Sequence, residues 1–290
     1  MVADFGQSEL DLLEETFRKT MSAASGQVLD IALAELGWRD IVTEMPDVAI
    51  PMVFRLLGET GAQAPLINDV LLSAAGRPPG GTVPMPYTGG SWVVWERAAG
   101  AAGAGLDGEL PLRQVAAGDA GSAGAAGEGL PLAAGRRAIG WWLVATGRAM
   151  LDLARSHALD RVQFGRPLAS FQAVRHRLAE TYVALEGAEA ALTAADSSAS
   201  PGASPGASPG ASPDLSALLA KAAAGQAALT AARHCQQVLG GIGFTAEHGL
   251  HRHVRRALVL DGLLGSAREL TREAGTLLVK ERSAQRLVDL

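Results

Sequence analysis

A chain of 290 residues has room for one large domain or two small ones. Its residues are 48% hydrophobic, much of that alanine, and only 4% aromatic, which favours closely packed helices over extensive sheet. A net charge of −5 with no long basic run argues against a nucleic-acid partner, and the single cysteine, Cys235, excludes an internal disulfide framework and fits a reducing, cytoplasmic setting.

The N-terminal MVADFGQSELDLLEETF is acidic and amphipathic. It lacks a basic stretch followed by an apolar core, so it does not read as a signal peptide. Residues 7–22 predict a helix with Leu10, Leu13, Phe17 and Met21 near one stripe. A second helix is expected over 27–37, ending near Gly37-Trp38, a third over 46–62 and a fourth over 66–75. Residues 76–135 are rich in Gly, Pro and Ala, with short strand candidates at SWVVWERA (91–98) and LPLRQVAA (110–117). Helical patterning returns over 137–160 and 171–195, the latter with Phe171, Val174, Leu178, Tyr182, Leu185 and Leu192 at helical spacing. The tandem Ala-Ser-Pro-Gly repeat at 197–214 reads as a flexible loop between helices. A long helix over 215–239, a glycine turn at 240–243 and a helical region from about 246 to the end complete a four-helix bundle. The longest apolar runs, such as AIGWWLVA (138–145), are too short for a bilayer, so no membrane is expected.

The expected fold is therefore mostly α, divided into an N-terminal helical domain (1–78), a short, reduced β or irregular middle (79–134) and a C-terminal four-helix bundle (135–290).

Two stretches carry chemistry beyond what connectors need. RVQFGRPLASFQAVRHRLAE (161–180) sets an arginine, a glutamine and a phenylalanine on the loop between two helices. QQVLGGIGFTAEH (236–248) ends a helix in Gly240-Gly241, where backbone N–H groups can meet a phosphate, or which can serve simply as a helix cap; Thr245 is a candidate N-cap for the next helix.

Together these two stretches, about seventy residues apart, resemble the C-terminal domain of acyl-CoA dehydrogenases. LAELGWRDIV (33–42) and VFRLLGETGAQAPL (53–66) resemble that family's N-terminal helical domain more loosely. The resemblance implies helical N- and C-terminal domains around a β-domain, in tetramers or paired dimers that bind FAD across a subunit interface. It implies that Arg161 pairs with the pyrophosphate of the neighbour's FAD, that Gln163 hydrogen-bonds it and that Phe164 packs on the flavin nucleotide. It also places Gln172 at the family's glutamine position, and Gln237, with Gly240 and Gly241, at the adenine and pyrophosphate end. A guanidinium suits a diphosphate, a planar ring can stack, and glycines permit backbone approach.

The departures from the family shape the functional reading. These enzymes remove a substrate α-proton with a glutamate. One family version places it 23 residues after the second glycine of the pair, which here is Leu264, followed by Gly265-Ser266. The other places it near the start of the first bundle helix, at Gly135 and its neighbours in AAGRRAIGWW, where no carboxylate stands. Glu128, seven residues upstream of Gly135, is a weak substitute. The middle region also lacks the family's flavin-contacting Thr-Glu-Pro segment followed by Gly-Ser.

Heteromeric members of the family pair two homologous subunits as α2β2, with the base and a working β-domain on one type only, and are associated with bulky acyl-CoAs, including steroid side-chain thioesters. GGIGFTAEH resembles that subgroup. The chain therefore reads as the non-catalytic subunit of an FAD-dependent acyl-CoA dehydrogenase, its partners a homologous subunit and an acyl-CoA. Two other readings stand beside it: an active homo-oligomer using an atypical base such as Glu128, and a flavin-free scaffold of the same fold. EHGLHRH (247–253) reads as a polar helix face rather than a metal site, Trp141 and Trp142 as packing residues, and Cys235 as a small buried residue.

Overall fold

The computed structural model describes residues 6–97, 108–115, 129–199 and 213–281. Those residues form ten helices and two small antiparallel sheets. The protein is mostly α, with N-terminal helices, a small sheet and a C-terminal helical bundle.

Five helices open the chain: α1 (Gln7–Ala23), α2 (Gly26–Glu35), α3 (Trp38–Glu44), α4 (Pro46–Thr60) and α5 (Leu66–Ala74). Phe17 and Met21 of the predicted α1 stripe are buried. The short α3 was not expected from the sequence. Gly37 adopts φ 85° and turns the chain sharply, so Trp38 starts a new helix and drops into the core. Pro51 lies inside α4 without ending it; Gly61, in the left-handed region, does. Every residue of α5 from Leu66 to Leu72 is buried, including Asn68 and Asp69. Those two side chains attach the sheet to the helices. Asn68 donates to Trp95 O at 3.0 Å and accepts from Val83 N at 3.0 Å. Asp69 accepts from Trp38 Nε1 at 3.0 Å and Gly80 N at 2.7 Å, and pairs with Arg97, which also pairs with Asp30.

The sheet has the order β1 (Pro84–Tyr87), β2 (Ser91–Trp95), β3 (Leu112–Gln114). β1 escaped sequence reasoning because it carries two prolines, which an edge strand tolerates. The other two strands are shorter than the stretches proposed for them.

The bundle begins with α6 (Leu132–Asp160), five residues earlier than expected, so the expected boundary at 134/135 falls inside a helix. α7 (Gln172–Ala199) runs antiparallel to it. Leu185 packs over Gly147 and Leu192 over Gly140, where an added Cβ would come within 2.5 Å of a leucine methyl in each case. At one end Arg137 and Trp141 of α6 meet Asp196 of α7, both at 2.8 Å. Thr181, Leu185, Ala188, Leu192 and Ala195 form the buried seam of α7, while Tyr182, expected on that seam, is 50% exposed.

α7 continues through Ala199 and α8 (Pro213–Leu239) starts at Pro213, so both ends of the predicted 197–214 loop are helical; 200–212 lie outside the described residues. α8 and the turn after it, Asp214–Phe244, are long and apolar enough to cross a membrane, contrary to the sequence expectation, but 72% of the most apolar window is buried within the protein. It is the bundle's core helix. The helical region expected from 246 onward is two helices, α9 (Leu250–Gly262) and α10 (Ala267–Glu281), separated by a tight turn at Leu263–Ser266.

Candidate functional site

The two stretches singled out in the sequence lie at the same end of the bundle. After α6, residues Val162–Gln163 (β4) and Arg166–Pro167 (β5) pair as a hairpin with Gln163 opposite Arg166. Leu168 N donates to Arg161 O at 2.8 Å and extends the ladder. The two-residue loop is Phe164-Gly165, with φ 53° and 76°. Positive φ at both central residues is the type I′ signature, which favours Asn or Gly over a phenylalanine. A left-handed non-glycine costs roughly 1–2 kcal/mol. Phe164 is nonetheless held there, 92% exposed, touching Phe171 edge-on at 6.2 Å between ring centroids. Alternation along β4 puts the side chains of Arg161 and Gln163 on one face of the hairpin. In this conformation the Gln163 amide donates to Val162 O at 2.8 Å. Gln172, at the first position of α7, lies 3.4 Å from His176 Nε2.

The other half of the pattern sits at the end of α8. Gln237 is exposed, and Gly240 turns the chain with φ 64° into a short 3-10 segment, Gly240–Phe244. Thr245 does not cap α9 as expected. Its hydroxyl donates to Ile242 O at 3.0 Å, and α9 starts five residues later, after Gly249. Thr181 Oγ1 lies 3.0 Å from His234 Nδ1, pairing the early part of α7 with the last turns of α8. Gln172, Gln237 and Gly240-Gly241 are therefore at the same end of the bundle. His157, in the last turn of α6, is also there. Burial first, then the nearby His248 and Arg161, lower its pKa. No hydrogen bond, ion pair or ring contact among the described residues joins the hairpin to the 237–241 turn, so the two present separate surfaces at a common end.

The two positions where the family resemblance seeks a base are also brought together, at the far end of α6. An added Cβ at Gly135 would come within 2.7 Å of Leu264 Cδ1 and 2.8 Å of Leu71 Cδ2. Both candidate positions thus belong to one apolar contact, sealed by two leucines. Leu264 is 1% exposed.

The turn carrying Leu264 is held from several sides. Leu264 has φ 61°, its N–H donates to Pro86 O at 2.9 Å, and its carbonyl accepts from Arg136 Nε at 3.3 Å. Lys221 of α8, fully buried, donates to Asp261 O at 2.7 Å and to Gly265 O. Burial brings its ammonium pKa down to about 7. Glu269 accepts from Ser266 N at 2.9 Å, Ser266 Oγ at 2.7 Å and Gly89 N at 2.8 Å, joining the β1–β2 turn to the start of α10. Lys221 was missed in the sequence; its signal was isolation, a single charge in the apolar run ALLAKAAAGQ (217–226). Glu128 lies outside the described residues.

The histidines of EHGLHRH have separate tasks. His248 Nδ1 accepts from Leu250 N at 3.1 Å, and His251 Nδ1 lies 2.8 Å from His248 O. His253, half-buried beside Gly61, has its pKa brought down to about 4 by desolvation and then by Arg256 and Arg252. Cys235 is buried, and its thiol is pushed up to about 12 by burial, so it is inert.

The acyl-CoA dehydrogenase C-terminal domain family matches residues 126–273, half of the chain. The chain belongs to the acyl-CoA dehydrogenase family. Among curated relatives it is 37% identical to acyl-CoA dehydrogenase IpdE2 of Mycobacterium tuberculosis over 122 residues, covering 42% of this chain and 34% of that protein. It is 38% identical to acyl-CoA dehydrogenase FadE34 of the same organism over 125 residues, 41% of this chain and 16% of that one. The matched stretch thus spans about a third or less of these relatives. Among solved structures, the ChsE4-ChsE5 complex from Mycobacterium tuberculosis aligns with TM-score 0.64 at 19% identity, covering 97% of this chain and 99% of that one. A putative acyl-CoA dehydrogenase from Mycobacterium smegmatis aligns with TM-score 0.69 at 16% identity, covering 95% and 98%. At those identities the likeness is one of fold.

Proposed function

We propose that this protein is the non-catalytic subunit of a heteromeric FAD-dependent acyl-CoA dehydrogenase, and that it lends the nucleotide-contacting end of the site to a homologous partner that carries the base and the flavin and substrate domain. The observation that carries this reading is the opposition between the two ends of α6. At one end an exposed hairpin presents Arg161, Gln163 and Phe164; at the other, Gly135 and Leu264 seal the base position with hydrocarbon.

Twenty-five residues of helix separate Gly135 from Asp160, about 38 Å. A dinucleotide held at the hairpin would not reach Gly135 across that distance, which supports a reactive end on another chain. The donor set fits the group: Arg161 and Gln163 supply N–H donors for a diphosphate, Phe164 a stacking face, and the turn at Gly240-Gly241 an open backbone. Bound FAD would accept the hydride lost from the acyl β-carbon. The residues of this chain bind and orient its nucleotide end. None at Gly135 or Leu264 can take the α-proton, since neither side chain has an acceptor atom.

Two fold neighbours, a steroid acyl-CoA dehydrogenase variant pairing Tcur3481 with Tcur3483 and the ChsE4-ChsE5 complex, are two-component assemblies. Both support a heteromeric assembly, and the first supports a steroid-type acyl-CoA as substrate; a cytoplasmic location is part of the proposal. The domain limits 1–78, 79–134 and 135–290 are part of the same proposal, with the second moved to the start of α6.

The test is visible flavin absorbance of the chain purified alone and of the chain co-expressed with a homologous subunit encoded nearby. Flavin and acyl-CoA oxidation in the co-expressed complex, with neither in the chain alone, is the expected result. Stoichiometric flavin and turnover by the chain alone would overturn the reading, and flavin in neither preparation would favour a scaffold.

A further inference from the structure

The hairpin carries a second cation that the family pattern does not account for. Arg166 stands directly opposite Gln163 across the β4–β5 pair. Side chains of directly paired residues share a face of an antiparallel pair, and alternation puts Arg161 on that face too. Arg161, Gln163 and Arg166 therefore line one side of the hairpin, with Val162 and Pro167 on the other.

Arg166 is exposed and makes no ion pair among the described residues. Its guanidinium lies 4.2 Å from the centroid of the Phe171 ring, and Phe171 in turn meets Phe164 edge-on. Phe171 is the residue at which the chain enters α7, and its N–H is bonded to Leu168 O at 3.0 Å. One ring thus braces both the cation and the strained hairpin tip. An arginine kept in place by stacking loses less freedom when it binds an anion than an arginine waving in solvent.

We infer that Arg166 is a second anion-binding residue of this site, contacting the same phosphate group as Arg161, and that Phe171 positions it. The inference rests on the proposed nucleotide-binding role of the hairpin and extends it. The ligand class is a nucleoside diphosphate, the part of FAD common to ADP. Two guanidinium groups on one face match a dianionic diphosphate better than one does.

The experiment measures FAD affinity of the co-expressed complex, by titrating the FAD-depleted form, for the wild type and for Arg161→Ala, Arg166→Ala, Arg166→Lys and Phe171→Leu. ADP and adenosine compete in parallel. Loss of one charge-assisted contact should weaken FAD and ADP binding about tenfold to a hundredfold, and adenosine binding hardly at all. Arg166→Lys should recover part of the loss, because it restores charge without planar stacking. Phe171→Leu should weaken ADP binding a few-fold at unchanged Tm.

If Arg161→Ala weakens FAD binding and Arg166→Ala does not, the inference fails while the nucleotide-binding role of the hairpin stands. If neither variant changes FAD binding, that role fails and the inference with it. If Arg166→Ala weakens adenosine as much as ADP, Arg166 is structural and the inference is overturned.

Discussion

Among the described residues, two that are not glycine hold a positive φ, Phe164 at 53° and Leu264 at 61°. They mark opposite ends of α6 and opposite solutions to the same backbone cost. Leu264 is buried, and its strain is offset by what its side chain fills and by hydrogen bonds on both its N–H and its carbonyl. Phe164 is 92% exposed and has only an edge contact with Phe171. Backbone strain persists where surrounding structure over-determines it, and the Leu264 end supplies that through packing and hydrogen bonds. The hairpin end is open to solvent, and the Leu264 end is closed over.

The largest effect on that comparison should come from Lys221. Lys221→Ala removes the ammonium that donates to Asp261 O, in a buried contact, and to Gly265 O, in a part-buried one. We expect a loss of about 3 kcal/mol in chemical denaturation. A loss below about 1 kcal/mol would mean that the turn is held without it. Leu264→Ala comes next, at about 2–4 kcal/mol, because a buried leucine packed on Gly135 and Leu71 leaves a cavity that helix α6 cannot fill. A calorimetric Tm unchanged by this substitution would show that the contact is not load-carrying packing.

Phe164→Gly should do the reverse. Glycine relieves the left-handed φ, and an almost fully exposed ring contributes little burial, so the isolated chain should gain about 1 kcal/mol. FAD retention by the complex should fall at the same time. A variant that is both less stable and equally good at holding FAD would erase the contrast between the two ends.

The sequence made the bundle legible because 3.6-residue periodicity survives in α6, α7 and α8 even where alanine dominates. The exposed end was legible too, since Arg161, Gln163 and Phe164 form one short run and Gly240-Gly241 another, each readable locally. What was hidden depends on contacts across long chain separations. Leu264 could be seen to lack an acceptor, but nothing in the sequence put it against Gly135, 129 positions away. Lys221 stands alone in an apolar run, but its burial against two carbonyls on the α9–α10 turn is a tertiary fact. The break between α9 and α10 was missed because Leu263-Leu264 continues an apolar pattern, and the positive φ at Leu264 is set by Pro86, Arg136 and Lys221 rather than by local preference. β1 was missed because prolines mask a strand whose place at the sheet edge is a tertiary fact.

The smallest effect concerns the outer rim of the closed end. Glu269 is held at about 2 by donors from Gly89 N, Ser266 N and Ser266 Oγ, against an ordinary carboxylate value of 4.5. Its folded pKa lies below its unfolded one, so its contribution is complete above pH 4.5 and disappears as the pH falls through about 2. The group is partly exposed, and screening limits the contribution to about 1 kcal/mol. Glu269→Gln should therefore be less stable than the wild type at neutral pH by about that amount, and the gap should close on acidification between pH 4.5 and 2. The same substitution should leave the Arg161 hairpin untouched, so FAD affinity of the complex stays at its wild-type value. A gap that persists at the acid end would mean that the carboxylate's charge is not what fastens the β1–β2 turn to α10, and a change in FAD affinity would mean that the two ends of α6 are coupled.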